Sequence, residues 1–341
     1  MTRWMTDIIQ GIDSGATFKA RNDISIFAEQ IGLRRLPIFR YDSAFENSAA
    51  IHARIDGITA GVKRGDTVYY QFPTYNGARF ENFFVDHMAV RGISMVVLVH
   101  DIEFLRFPTN NTFNEIDYLN KCNIVIVHNQ YMADVLQENG VSSHMVNLNM
   151  FDYYIDTKIA NRDSIEKQVI VAGSLNKALY LKDWQYDLPI VAYGRQPEFS
   201  VSTRVDYRGT LSPDEVAQKL PSGFGLSWDT NNSSYENSEY YSKFNNPHKV
   251  SLYLSSGLPV IVKTGTAIAK IVATYNLGLV IDSLDNVKDN LQNISPDELL
   301  KMVTQVNHFR KLLISGYFTK QAIMNTEFQL TMGYPERNIL W

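Results

Sequence analysis

Short apolar runs alternate along this chain with stretches whose apolar residues recur at spacings of three and four. In the first half, residues 4–9, 36–40, 67–72, 94–99, 124–127 and 145–148 read as strands. Between most of them, 18–31, 51–62, 77–90 and 131–138 carry the periodicity of helices. The pattern lapses at 151–167, which is polar and irregular and reads as a linker. A second series follows, with strands at 169–172, 190–193, 224–228, 260–262 and 279–281 and helices at 213–219, 249–255, 267–275 and 296–313. A last helix at 319–329 follows a Ser315-Gly316 break. Strands alternating with helices imply βαβ units and mainly parallel sheets. The prediction is two doubly wound α/β domains in series, without internal repeats.

Composition changes this picture little. At 341 residues the chain exceeds the usual single domain. The hydrophobic share of 45% and charged share of 20% are those of a soluble globular protein. A net charge of -4 argues against a general nucleic-acid binder, which carries a basic excess. A single cysteine, Cys122, rules out an intrachain disulfide and suits a reducing cytoplasm. No apolar run approaches the roughly 20 residues needed to span a bilayer. The opening Met1-Thr2-Arg3-Trp4-Met5-Thr6-Asp7 lacks the apolar core of a signal peptide. A cytoplasmic chain without stable membrane insertion is expected.

Doubly wound sheets bind ligands outside the carboxyl ends of their strands, so the turns there are the candidate sites. Lys249 sits at the start of a predicted helix, after the polar run Asn245-Asn246-Pro247-His248. Free backbone N–H groups and the helix dipole already favour an anion there, and the lysine adds charge suited to a diphosphate. Asn246 and His248 belong to the same candidate loop. Gly11-Ile12-Asp13-Ser14-Gly15, between the first strand and first helix, can turn tightly towards an anion, with Lys19 and Arg21 adding charge. An ordinary turn capped by Asp13 or Ser14 explains it equally well. At the end of a buried strand, His100, Asp101 and Glu103 offer a general base. Asp101 is the first choice, with capping of the following turn as the plain alternative. Gly173-Ser174-Leu175-Asn176-Lys177 is a small-residue loop with a cation, suited to phosphate or ribose. Tyr207, in Asp206-Tyr207-Arg208-Gly209, offers a ring to a nucleobase; a strand-end turn is the alternative.

Other chemistries lack their signatures. There is no G-x-G-x-x-G or Walker loop, no G-x-S-x-G elbow and no clustered metal-ligating pattern among the seven histidines and lone cysteine. A metal-free site would need cations and helix N-termini to stabilise a departing nucleotide, and Lys249 and Lys177 are the candidates.

The pieces Phe18-Lys19-Ala20-Arg21, His100-Asp101-Ile102, Lys243-Phe244-Asn245-Asn246-Pro247-His248-Lys249 and Ser251-Leu252-Tyr253-Leu254 resemble bacterial β-1,6-galactofuranosyltransferases of surface polysaccharide synthesis. The same order also resembles the accessory glucosyltransferases that extend the O-glycan of serine-rich repeat adhesins in streptococci and lactobacilli. There the shared pieces are Gly65-Asp66, Gln71-Phe72-Pro73-Thr74, Val99-His100-Asp101, Gly223-Phe224-Gly225-Leu226 with Trp228, Lys249, Gly257-Leu258-Pro259-Val260-Ile261-Val262 and Gly316-Tyr317-Phe318-Thr319.

The resemblance implies a GT-B fold: two Rossmann-like domains facing a central cleft. The first, 1–155, would take the acceptor and the second, 156–316, the donor, with 317–341 packing back on the first. It implies a UDP-sugar donor substrate, no metal and no cofactor. By the same resemblance Lys249 and Lys177 contact the diphosphate, Tyr207 lies near the uracil or ribose, and Thr17 reaches the donor from the first domain. A homotetramer is implied too. Lys177 stands where the glucosyl branch has an arginine, so it keeps the charge without the bidentate fork. Around Lys249 the chain follows the galactofuranosyl branch. The expected activity is transfer of glucose or GlcNAc to a GlcNAc-modified adhesin glycoprotein. A galactofuranosyltransferase, with Arg34-Arg35 or Lys63-Arg64 touching a membrane, and a non-catalytic sugar-nucleotide-binding subunit are the alternatives.

Overall fold

The computed structural model describes residues 1–10, 16–109, 113–157, 160–231 and 237–333. Among them, twelve strands form two six-stranded sheets, and every recorded strand pairing is parallel. The first sheet holds β1 (Arg3–Ile9), β2 (Arg34–Phe39), β3 (Thr67–Phe72), β4 (Ser94–Val99), β5 (Ile124–Val127) and β6 (His144–Asn147), in the order β2-β1-β3-β4-β5-β6. The second holds β7 (Val169–Ala172), β8 (Ile190–Tyr193), β9 (Val205–Tyr207), β10 (Phe224–Ser227), β11 (Val260–Lys263) and β12 (Gly278–Ile281), in the order β12-β11-β10-β7-β8-β9. Every residue of β3, β5, β7, β8 and β10 is buried, as expected of parallel strands covered on both faces by crossover helices.

The chain divides into two compact units, Met1–Met150 with Gly316–Trp341, and Phe151–Ser315. In the first, the helix Tyr317–Met332 buries Phe318, Ala322 and Ile323, and the Tyr69 hydroxyl donates to Glu327 Oε1 at 2.6 Å. Gly316 opens this helix at φ 74°, and a Cβ there would lie 2.2 Å from the Phe27 ring. The segment read as a linker is partly core: Phe151 and Tyr153 are buried in the second unit, and the Tyr153 hydroxyl donates to the Pro213 carbonyl at 3.2 Å. Two aromatic rings outweighed the polar residues around them. No helix among the described residues is long and apolar enough to cross a membrane.

Each sheet has one point where strand order reverses: between β1 and β3 in the first, between β7 and β10 in the second. At both points the ladder stops early. The β1–β3 pairing ends at Met5↔Tyr69, and the β7–β10 pairing ends at Ile170↔Gly225. Buried side chains take over the backbone groups beyond. In the first sheet Gln71 N donates to Thr6 Oγ1 at 2.8 Å, and the Gln71 amide donates to the Thr6 carbonyl at 2.7 Å. In the second, the Tyr253 hydroxyl accepts from Ala172 N at 2.7 Å and lies 3.4 Å from the Leu226 carbonyl. Tyr253 belongs to the helix His248–Ser255, and its ring lies so close to β10 that a Cβ on Gly225 would sit 2.1 Å from it.

Two outcomes follow for stability. Gly225→Ala must displace the Tyr253 ring, and Tyr253→Phe leaves Ala172 N without this partner. Each should destabilise the protein by about 1–3 kcal/mol in urea titrations; unchanged midpoints would refute this account of the switch point. In the first unit, His128 is buried just after β5 and its Nε2 lies 3.1 Å from the Val99 carbonyl. Burial pushes its pKa down to about 4. The unfolded chain therefore takes up a proton near pH 6.5 that the native state refuses until about pH 4. Stability falls as pH drops through that window, by up to about 3 kcal/mol. His128→Gln should flatten this slope when urea stability is compared at pH 7 and pH 4.5.

Candidate functional site

The ligand edge of the first sheet is built from the turns after β3 and β4. Past Val99 the chain runs through His100 and Asp101 to fully buried Ile102, then into the short helix Glu103–Arg106. Buried Glu115 holds the start of that helix, accepting from Glu103 N at 3.0 Å and Phe104 N at 2.7 Å. Asp101 and Glu103 are thereby brought together. Arg106 Nη1 lies 3.2 Å from Asp101 Oδ2 and 3.1 Å from Glu103 Oε1. The Tyr75 hydroxyl lies 3.3 Å from each carboxylate. Both carboxylate side chains keep about a quarter of their surface exposed, at 24% and 27%. Burial raises the Glu103 pKa, with Arg106 opposing and Asp101 reinforcing the shift. Burial, then the Asp101 and Glu103 charges, push the Tyr75 phenol well up.

His100, the third candidate, turns the other way. It is buried, and its Nε2 meets Gln71 Oε1 at 2.8 Å. The Gln71 amide nitrogen donates to the carbonyls of Thr6 and Arg21, so its oxygen must face the histidine and His100 Nε2 carries the proton. His100 therefore braces the β1–β3 split, and only Asp101 and Glu103 of the trio present open carboxylates.

Lys19 and Arg21 also depart from the expected ligand-facing positions. Most of the described side chains in the helix Ala16–Glu29 are buried, those of Lys19 and Arg21 among them. Lys19 pairs with Asp23 one turn on, and Arg21 donates to the carbonyls of Gln71 and Pro73. Their charges brace the first unit from within. The Gly11–Gly15 turn and the Thr17 side chain lie outside the described residues.

In the second unit the candidates gather after β7, β10 and β9. Lys249 is the second residue of its helix and pairs with Asp229, two residues past β10. Pro247 precedes the helix without a side-chain cap. Gly173 is exposed at the end of β7 with φ 130°, where a side chain is strained. The turn Leu175–Lys177 is stitched to the β10 loop: Thr230 N and Oγ1 both donate to the Lys177 carbonyl, at 2.8 and 3.0 Å. This brings Lys177 and Lys249 to the same switch point. Asn176 is tied instead to Glu198, accepting from its N at 2.9 Å. The half-buried Tyr207 donates its hydroxyl to the Gly194 carbonyl at 3.0 Å. Asn246 is buried, and the His248 ring stacks on Tyr153 at 5.1 Å, so these two shape the loop before Lys249. At the end of β11 lies a cavity of about 310 Å³, lined by Glu239, Lys243, Lys263 and Thr266. Ser242, Lys263 and Thr266 are shared with a smaller hollow lined by Trp228 and Asp229.

Sequence reasoning missed Tyr75, Arg106 and Asp229. Asp229 had a usable signal, since it directly follows the stretch 224–228 read from the sequence as a strand. Tyr75 lies in Pro73-Thr74-Tyr75-Asn76-Gly77, whose Asn-Gly marks a turn but not what the tyrosine touches. Among the described residues no group of three or more His, Cys, Asp or Glu could hold a metal ion.

Residues 2–150 match the N-terminal domain of the glucosyltransferase 3-like family, and residues 169–326 match its C-terminal domain. Glucosyltransferase 3 of Streptococcus gordonii is 30% identical over 315 residues, covering 91% of this chain and 94% of that protein. Beta-1,6-galactofuranosyltransferase WbbI of Escherichia coli K12 is 28% identical over 208 residues, 58% of this chain and 61% of that one. In fold the chain is similar to an alpha-glucosyltransferase solved in complex with UDP, at 11% identity and a TM-score of 0.62, covering 97% of this chain and all of that one. The two parallel six-stranded sheets are those of GT-B glycosyltransferases. The chain belongs to the glucosyltransferase 3-like family and is a glycosyltransferase of the hexosyltransferase class.

Proposed function

We propose that this enzyme transfers glucose from UDP-glucose to a hydroxyl of a GlcNAc-bearing adhesin glycoprotein, without a metal ion. The observation that carries the reading is similarity to a streptococcal glucosyltransferase 3 along nearly the whole chain. The uridine diphosphate is suggested by the ligand of a fold neighbour and by the basic switch point of the second unit. There Lys249, Lys177 and the N–H groups opening the helix His248–Ser255 take up the charge that develops on the diphosphate. Gly173 lets the backbone approach, and Tyr207 lies beside the base or ribose.

The first unit supplies the base. The Asp101 carboxylate takes the proton of the acceptor hydroxyl, whose oxygen bonds to the anomeric carbon as the bond from that carbon to the diphosphate oxygen breaks. UDP leaves, and the product is inverted at that carbon. The enzyme acts in the cytoplasm as a homo-oligomer.

With EDTA present, UDP release should be seen from UDP-glucose and be stimulated by a GlcNAc-bearing glycopeptide. Release from UDP-galactofuranose alone would replace this reading with the galactofuranosyl one, and UDP binding without turnover of any sugar nucleotide would count against catalysis of this kind. Asp101→Asn should lower kcat by about 10²–10⁴-fold while UDP binding measured by calorimetry is retained. Lys249→Ala should raise the KM for UDP-glucose by about tenfold or more. A normal KM in that variant would remove Lys249 from the donor site.

A further inference from the structure

At the ligand edge of the first sheet, two open carboxylates are held by a phenol from the turn after β3 and a guanidinium from their own short helix. We propose that Tyr75 and Arg106 are positioning residues, which clamp Asp101 and Glu103 into one cluster and so fix Asp101 for deprotonation of the acceptor. The inference rests on Asp101 acting as the base.

The first support is convergence. The cluster draws on the turn after β3 for Tyr75, the end of β4 for Asp101 and the following short helix for Glu103 and Arg106. One guanidinium nitrogen spans both carboxylates, at 3.2 and 3.1 Å, and one phenol hydroxyl lies 3.3 Å from both. The second support is backbone conformation. Tyr75 has φ 62°, a region that a residue with a bulky side chain rarely occupies. Such a conformation persists where the surroundings over-determine it, and these positions concentrate at functional sites. Here the surroundings are visible: the Arg40 guanidinium lies 4.8 Å from the Tyr75 ring centre and that of Arg21 lies 5.8 Å away, while the hydroxyl meets the carboxylates. A glycine at this position would relieve the backbone but could not reach Asp101.

The third support is charge. Burial and the neighbouring Asp101 charge raise the Glu103 pKa, and Arg106 and the Tyr75 hydroxyl oppose that rise. The other charged groups that sense Asp101 are Arg21, from the first helix, and His128, from the end of β5. His128 is neutral near pH 7, and Arg21 is held by the β3 carbonyls. Glu115 is occupied with the backbone N–H groups of Glu103 and Phe104. Among the described residues, the groups that touch the Asp101 carboxylate itself are thus Arg106 and Tyr75.

The experiment is the split between kcat and KM for the acceptor, with the KM for UDP-glucose and the thermal midpoint recorded alongside. A base held out of line slows proton transfer without weakening ground-state binding, so losing a clamp must lower kcat while both KM values hold. The kcat should fall by about 3–10-fold in Tyr75→Phe and about 10–100-fold in Arg106→Gln. Arg106→Lys, which keeps the charge without the planar guanidinium, should recover part of that kcat. If kcat stays put in both Tyr75→Phe and Arg106→Gln while Asp101→Asn is inactive, the positioning role is wrong and the base assignment stands. If Asp101→Asn keeps its activity, both fail together. Arg106→Gln and Arg106→Lys decide the matter by themselves should Tyr75→Phe be too unstable to assay.

Discussion

Two parallel strands that part company leave N–H and C=O groups with no ladder to join, and buried groups of that kind must find other partners. Each sheet of this protein opens at the strand pair where its order reverses, the place outside which doubly wound sheets generally bind their ligands. In the first sheet the Gln71 side chain and Thr6 hydroxyl take up the stranded groups; in the second the Tyr253 hydroxyl does so. Both solutions reach the residues proposed for the site. Gln71 also holds His100, the residue just before Asp101. Tyr253 anchors the helix whose second residue is Lys249. The groups that keep the split sheets intact thus aim the neighbouring side chains.

The two ligand edges have complementary chemistry. The first carries two carboxylates held by a guanidinium and a phenol, an arrangement suited to accepting a proton. The second carries lysines, a helix N-terminus and small turns, which suit a diphosphate. Lys249 is matched by Asp229, so the cation is held in place by a partner from the β10 loop. Lys19 and Arg21 show the contrast. Lys19 pairs with Asp23 on its own helix, and Arg21 donates to backbone carbonyls at the end of β3, both inside the first unit.

The alternation of apolar runs and helical periodicity carried both α/β units, because strands buried on both faces are apolar without interruption. Short elements were harder to read. Three-residue β9, Val205–Tyr207, and the four-residue helices Glu103–Arg106 and Ser238–Tyr241 are too brief for any period to emerge. Phe151 and Tyr153 were hidden within a polar stretch, and the helix Ala16–Glu29 buries charged residues that a sequence pattern assigns to solvent or ligand.

The sequence by itself determined that parallel sheets would form, where their strands end, and which residue types stand at those ends: His-Asp after β4, a small-residue loop after β7, a lysine at a helix start. These are consequences of local propensity and spacing. Only the tertiary structure decided what each side chain does there. His100 and Asp101 are adjacent in the chain, yet one turns into the core and the other to the surface, because Gln71 from a different strand claims the imidazole. Tyr75 and Arg106 stand 31 positions apart and meet on the same two carboxylates. Asp229 and Lys249 pair across 20 positions. Such partnerships depend on which strands lie side by side, and strand order is a property of the packed sheet that no local stretch of sequence encodes.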